Sequence, residues 1–135
     1  MEHHHHRIAE IKGLDVGFRT KLAAMSIHTV EDLLERAADG SKRASLAKGL
    51  GVESAEVTEW VNRADLMRLR GVGMEMANLL EVCGVDSCKE LQHRVAENLY
   101  AKLKTTNDAE RITHHAPSLR QVTSWVSEAK RFVKA

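Results

Sequence analysis

The sequence is poor in the residues that interrupt helices or build sheets. Its 135 residues include one proline, Pro117, and an aromatic share of only 4%. Clusters of valine, isoleucine, threonine and aromatic residues that alternate with polar ones, the pattern of a strand, are missing. Leucine, alanine, glutamate, lysine and arginine at helical spacing dominate instead. These features predict an all-α fold.

Long apolar runs and paired cysteines are also missing. Cys83 and Cys88 lie five positions apart, which fits neither a redox CxxC motif nor a zinc-binding pair, so we expect reduced thiols in the core. The opening MEHHHH (1–6) is interpreted as a purification tag. No later segment has the length of a membrane span or the form of a signal peptide, so we expect a cytoplasmic protein without a membrane partner.

Charge of one sign is not in excess. The chain carries 20 basic and 19 acidic residues, a net charge of +1, which by itself does not indicate a polyanionic partner. The charge is divided unevenly, because residues 1–66 hold 9 basic and 11 acidic side chains, while residues 67–135 hold 11 and 8. The two parts therefore differ in net charge, at −2 and +3.

An internal repeat is the most informative feature of the sequence. Residues 11–37 align with residues 69–95 at a constant offset of 58, which places Gly13 on Gly71. Further on, VTEWV (57–61) aligns with VTSWV (122–126) at an offset of 65, so the second copy has about seven extra residues, which we place at ERITHHA (110–116). We therefore predict two tandem units, 7–66 and 67–135, of four or five short helices each.

Capping residues mark where several of these helices begin. Thr29 and Ser87 each precede a carboxylate by three positions, and Ser118 precedes Gln121 in the same way. Ser54 begins a run with one apolar face. Two further segments, SLAKGLG (45–51) and ENLYAKL (97–103), complete the predicted helices.

The motif with the features of a binding site is Gly71-Val72-Gly73. It lies between the helical segments 64–70 and 75–83. The first glycine permits the positive φ of a tight turn, the second lets a ligand approach the backbone, and Val72 anchors the turn in the core. Ala77 allows close helix packing. Such a turn directs backbone N–H groups outward at a helix N-terminus, where anions bind.

This pattern, from Leu69 to Leu80, resembles the helix-hairpin-helix motif. The resemblance implies that the anion is a phosphate of nucleic acid, bound without sequence preference, and that a monovalent cation is sometimes held by the loop carbonyls. The wider stretches 60–103 and 117–130 are similar to a mainly bacterial family of tandem helix-hairpin-helix domains, a domain of unknown function. A function inferred from a fold alone is an analogy.

The first copy departs from the motif. Gly13-Leu14-Asp15 places a carboxylate where the second glycine is expected, and Arg19 replaces the alanine. Because Asp15 repels phosphate, we interpret this hairpin as degenerate and structural. The nucleic-acid site is predicted in the second unit only, with no other cofactor and no metal. Its residues are Gly71, Val72, Gly73, Met74 and Glu75 in the hairpin, with Arg68, Arg70 and Lys89 beside it.

Each of these residues also has a structural interpretation. A tight turn between helices needs its glycines without any ligand, and the basic side chains are equally suited to a solvated helix surface. Glu75, close to the turn, weakens the case for an anion. Trp60 and Trp125 occupy matching positions on apolar helix faces, which favours core packing over base stacking.

No catalytic residues are predicted. The two cysteines align with Met25 and Val30 of the first copy, which are apolar, and the sequence has neither an HExxH nor a Walker motif. His114 and His115 are adjacent, so on a helix they point about 100° apart, and no third ligand has suitable spacing. We interpret them as part of a polar loop or a helix end. The chain is therefore expected not to be an enzyme.

Two functions from different classes remain open. One is sequence-independent nucleic-acid binding, with DNA expected, which the intact second hairpin and the +3 region favour. The other is a protein-interaction or scaffold module without a nucleic-acid role, which the near-zero net charge and the degenerate first hairpin favour. An accessory domain of an enzyme is a weaker third possibility. Clustering of Arg63, Arg68, Arg70 and Lys89 around the turn would support nucleic acid, and an exposed apolar patch above roughly 600 Å² would support a protein partner.

Overall fold

The computed structural model describes residues 6–134, and within this range the chain is helical and contains no β-strand. The all-α prediction is confirmed, whereas the predicted tag lies outside the described residues except for His6. A short 3₁₀ helix, Ile8–Glu10, comes first. It is followed by α1 Val16–Ala24, α2 Val30–Arg36, α3 Gly40–Leu50, α4 Ser54–Met67, α5 Met74–Val82, α6 Cys88–Leu91, α7 Ala96–Glu110 and α8 Leu119–Lys134.

The chain forms two compact units, Met1–Arg68 and Leu69–Ala135. The first contains the 3₁₀ helix and α1 to α4, and the second contains α5 to α8. In each unit the last helix packs on the two helices before it, α4 on α2 and α3, and α8 on α6 and α7. Within residues 6–134, no helix is both long enough and apolar enough to span a membrane.

A tryptophan lies at the centre of each core. Trp60 of α4 and Trp125 of α8 are both 1% exposed, so the prediction that they pack in the core is confirmed. Cys83 and Cys88 are not joined in a disulfide and are fully buried in the second unit, also as predicted. Other fully buried side chains are Leu22, Ile27, Leu33 and Leu66 in the first unit and Leu79, Leu80, Leu91 and Leu103 in the second.

Three predicted capping residues, Thr29, Ser87 and Ser118, precede α2, α6 and α8. The Thr29 hydroxyl accepts a hydrogen bond from the Asp32 N–H at 3.1 Å. The Asp32 carboxylate in turn accepts bonds from the backbone N–H groups of His28 and Thr29, which hold the pKa of Asp32 below its ordinary value. Ser118 and Gln121 bond reciprocally at the start of α8.

Two helices are longer than the sequence predicted. α3 begins at Gly40 rather than Ser45 because the Asp39 side chain caps it by accepting from the Lys42 N–H at 2.8 Å. α7 continues to Glu110, seven residues beyond the predicted end of its segment. α4 begins at Ser54, as predicted, and Glu53 is its N-cap without a side-chain hydrogen bond.

Candidate nucleic-acid interface

The turn before α5 has an exposed backbone. Gly71 has a φ of +84°, a left-handed conformation that favours glycine, and it is exposed to solvent. Val72 is fully buried, and its N–H donates to the carbonyl of Leu69 at 3.1 Å. Gly73 is the N-cap of α5 and has no side chain to cap the helix. The first turn of a helix has N–H groups without helical partners, and at α5 the N-cap Gly73 supplies no side-chain hydrogen bond to them.

The matching turn of the first unit ends in a different way. Gly13 also has a positive φ, +95°. However, Asp15 is the N-cap of α1, and its carboxylate accepts a hydrogen bond from the Phe18 N–H at 3.1 Å. By the repeat alignment Asp15 occupies the position of Gly73. One turn therefore carries its own anion at the helix N-terminus, whereas the other does not.

The last helix of each unit holds the turn in place. In the second unit, Trp125 Nε1 donates to the Arg70 carbonyl at 2.8 Å, and Glu128 accepts from the Arg70 N–H at 3.0 Å. In the first unit, Arg63 donates to the carbonyl of Lys12 at 2.8 Å. Arg63 aligns with Glu128 and Lys12 with Arg70. The two turns are thus fixed from the same helix position by side chains of opposite charge.

A polar cleft lies on one side of the second turn. It has a volume of about 560 Å³, and Arg70 forms its wall together with one face of α8. Arg131 supplies a second guanidinium, and Glu128 supplies the carboxylate already bonded to the Arg70 backbone. The remaining lining residues carry hydroxyl groups: Thr123, Ser124 and Ser127. Two exposed arginines with hydroxyl groups are a set that binds phosphate oxygens.

A second cleft, of about 380 Å³, lies beside the same turn. Gly71 and residues 73–76 line it on one side, and Thr113, His114 and His115 line it on the other. The segment 111–115 follows α7 and is called the histidine loop below. Its two histidines are exposed, whereas Thr113 is 8% exposed. The prediction that these histidines lie in a polar loop is confirmed.

A buried asparagine fixes the shape of the histidine loop. Asn107 of α7 accepts from the Thr113 N–H at 2.8 Å and donates to the Thr113 carbonyl at 3.1 Å. The Thr113 hydroxyl donates to the His115 carbonyl at 2.8 Å. Arg111, the C-cap of α7, has a left-handed φ of +55°. The loop is therefore held by paired polar groups at its base while its histidines remain accessible.

The predicted site residues are not all at the turn. Gly71, Val72, Gly73, Met74 and Glu75 form the turn and the start of α5, and Arg70 directly precedes them. Arg68 is the last residue of the first unit and forms an ion pair with Asp65. Lys89 is exposed on α6, and Arg63 is engaged with Lys12 in the first unit. Arg70 lines the polar cleft beside the turn.

Several residues beside the turn were missed by the sequence interpretation. Arg131 is far from the motif along the chain, and it lies near Arg70 because α8 packs against the turn. The matching positions of Trp60 and Trp125 in the repeat were the signal that pointed to α8, since they placed the last helix of each unit in the core. The sequence gave no reason to place His114 and His115 beside the turn, although the insertion that contains them distinguishes the second unit.

The carbonyl groups around the second turn take part in hydrogen bonds. Among residues 6–134 there is no group of three or more histidine, cysteine, aspartate or glutamate residues arranged to hold a metal ion. The carbonyls of Leu69, Arg70 and Gly73 each accept a hydrogen bond within the second unit, from Val72, Trp125 and Ala77 respectively.

Comparison with models of known protein families yields a match. A family model described as "Domain of unknown function (DUF4332)" matches residues 13–132. Neither the curated proteins nor the solved structures contain a significant match. The matched range includes both turns, the histidine loop and nearly all of α8.

Proposed function

Because the chain belongs to the DUF4332 family, a domain of unknown function, we propose its function from its own residues. It binds the phosphate backbone of nucleic acid at the turn 71–75, through backbone N–H groups other than that of the buried Val72, which donates to the Leu69 carbonyl, without sequence preference and without catalysis. DNA is the form to be tested first. We also infer that each unit is a copy of a helix-hairpin-helix fold. The left-handed glycines of both turns and the buried tryptophans of both last helices support this inference.

The single observation that supports the proposal is the contrast between Gly73 and Asp15. A helix N-terminus carries a partial positive charge and N–H groups that favour an anion. In the first unit that place is taken by the carboxylate of Asp15. In the second unit Gly73 leaves the same place without a side chain, next to an exposed glycine and two clefts. A phosphate oxygen supplies at α5 the negatively charged hydrogen-bond acceptor that the Asp15 carboxylate supplies at α1.

The charges around the turn favour a weak, salt-sensitive interaction. Arg70 and Arg131 line the polar cleft, and Arg111 is the first residue of the histidine loop. Glu75 and Glu128 oppose them, although Glu128 is committed to the Arg70 N–H. The local balance is therefore modestly positive. Contributions of Arg68 and Lys89 to phosphate binding stay predictions. Arg68 is already paired with Asp65, and Lys89 belongs to α6 and not to the turn.

The proposal is tested by giving the second turn the carboxylate of the first. Gly73 has extended backbone angles, φ −96° and ψ −167°, which aspartate and asparagine also adopt. Gly73→Asp is expected to cap α5 and to weaken binding of a labelled duplex about tenfold, because its charge repels phosphate. Gly73→Asn has the same size and also caps the helix, but it lacks the charge, so a loss of only about threefold is expected.

Binding is measured by fluorescence anisotropy at about 50 mM and about 150 mM salt, with helicity checked by circular dichroism. Equal affinities of the wild type and Gly73→Asp would place binding away from the turn. No binding of duplex or single strand at either salt concentration would overturn the nucleic-acid proposal. The protein-interaction alternative would then be pursued by affinity capture.

A further inference from the structure

The histidine loop occurs in only one of the two units, and it lies at the turn that has no carboxylate. In the first unit α3 ends at Leu50 and α4 begins at Ser54, so three residues connect them. In the second unit α7 ends at Glu110 and α8 begins at Leu119. The additional residues form the far wall of the 380 Å³ cleft. Buried hydrogen bonds between Asn107 and Thr113 hold this wall in a defined conformation.

The walls of this cleft differ from those of the polar cleft. Met74 and Met76 contribute flexible thioether side chains, and His114 and His115 contribute planar rings. The volume of about 380 Å³ is within the range of small-ligand sites, about 300–1,000 Å³. Planar rings beside apolar side chains bind nucleobases, which stack on the rings of phenylalanine, tyrosine, tryptophan and histidine.

We propose that this cleft holds one unpaired base of a single-stranded nucleic acid, packed against His114, His115 and the two methionines. The inference rests on the proposed function, since the phosphate next to that base is the one bound at the turn. In a duplex the bases are stacked and paired, so they do not enter a cleft of this kind. The second unit therefore prefers single strands, or unpaired positions in a duplex, over fully paired DNA.

The charged neighbours of the loop are compatible with this ligand. Glu75 lines the 380 Å³ cleft, and Glu75 and Arg111 both line a neighbouring cleft that His114 also borders. A nucleobase is uncharged at neutral pH, so Glu75 does not repel it, and the planar rings and thioethers are the distinctive binding groups. Phosphate binding then depends on the turn, and base stacking depends on the histidine loop. Variants of Gly73 and variants of the two histidines therefore test the two kinds of binding separately.

The test compares three labelled ligands of about twelve nucleotides, within the site sizes of single-strand binding proteins. They are a single strand of mixed sequence, an abasic single strand with the same phosphates, and a duplex. The wild type is expected to bind the base-containing strand about tenfold more tightly than the abasic strand, as one stacked base provides. The double variant His114→Ala, His115→Ala is expected to lose this advantage while its affinity for the abasic strand changes less than about twofold.

A second double variant, His114→Phe, His115→Phe, separates stacking from charge. It retains planar rings and removes the titratable nitrogens, so the preference for the base-containing strand is expected to persist. Loss of the preference in both double variants would show that charge or hydrogen bonding, and not stacking, produced it, and would contradict the inference. Equal weakening of all three ligands by the alanine variant would contradict it as well.

The outcomes also separate this inference from the proposed function. If the abasic strand and the duplex bind, and Gly73→Asp weakens both, while bases give no advantage, the phosphate site stands and the base site is wrong. If no ligand binds, both are wrong. If the alanine variant does not fold, the phenylalanine variant and the comparison of wild-type affinities for the base-containing and abasic strands still decide the question.

Discussion

At the scale of single residues, a side chain at one position distinguishes the two turns. Asp15 satisfies the start of α1 with its own carboxylate, whereas Gly73 leaves the start of α5 to a ligand. The sequence already indicated that Asp15 repels phosphate, because a carboxylate stands where the motif has glycine. Its role as a cap depends on the φ and ψ of the turn, which the sequence alone does not specify.

Gly71 provides a prediction about stability. An added Cβ there meets only Gln121 Nε2, at 3.9 Å, so the cost of Gly71→Ala comes from the positive φ and not from a clash. We expect the free energy of unfolding to fall by about 1 kcal/mol. Urea denaturation followed by circular dichroism measures this change.

Gly40 is the matched control for that substitution. It begins α3, and nothing lies within 4 Å of an added Cβ. Gly40→Ala is expected to raise the free energy of unfolding by about 0.5 kcal/mol, since alanine restricts the unfolded chain. Equal effects of the two substitutions would mean that the turn at Gly71 is not left-handed in solution.

At the scale of helices and loops, α7 and the histidine loop show where sequence patterns are insufficient. The apolar spacing of ENLYAKL predicted a helix over 97–103, but α7 continues through Thr105, Thr106 and Asn107, which are weak helix formers. The extension is stabilised by a tertiary contact, because Asn107 is buried and bonded to Thr113. Local propensity carries no information about such a partner. By contrast, the capping boxes at Thr29 and Ser118 are local, and the sequence predicted them correctly.

Asn107 is therefore expected to control the order of the histidine loop. Asn107→Ala leaves the buried N–H and carbonyl of Thr113 without partners, so we expect a loss of about 2 kcal/mol in the free energy of unfolding. Trypsin cleavage after Arg111, at the start of the loop, is expected to become faster by about tenfold. The control is Asn98→Ala, at an exposed position in the first turn of the same helix. Unchanged cleavage in Asn107→Ala would contradict the account of the loop.

The last helices show a second limit of prediction. The repeat alignment matched Trp60 with Trp125 and so identified two equivalent helices. It did not indicate how each helix holds its turn, because Arg63 and Glu128 have opposite charge and bond to different backbone atoms, a carbonyl and an N–H. Equivalent positions thus hold their turns through different hydrogen bonds, which the sequence alone does not show.

At the scale of the whole molecule, a net charge of +1 excludes strong general attraction to nucleic acid. Binding must then depend on the few cations near the second turn. If two or three of them neutralise phosphates, a plot of log K against log salt has a slope of about −2 to −3 for duplex DNA. A slope near zero would contradict phosphate binding.

Arg131 tests which cations contribute to that slope. Arg131→Gln removes one guanidinium from the polar cleft and is expected to make the slope less steep by about one. Lys21→Gln, at an exposed position of α1, removes a charge that lies outside the proposed site and is the control. Equal changes in the two variants would indicate diffuse attraction by the whole surface.

Phosphate binding at the second turn is tested by titrating the nitrogen-15 labelled protein with a short DNA strand and following the backbone amide signals. The largest shifts are expected at residues 71–76, which contain the glycine turn and the first turn of α5. The amides of residues 16–18 at the start of α1 are expected to remain unchanged, because Asp15 already occupies that place. Shifts at the first turn instead of the second, or shifts scattered over the surface without a maximum at 71–76, would contradict the account.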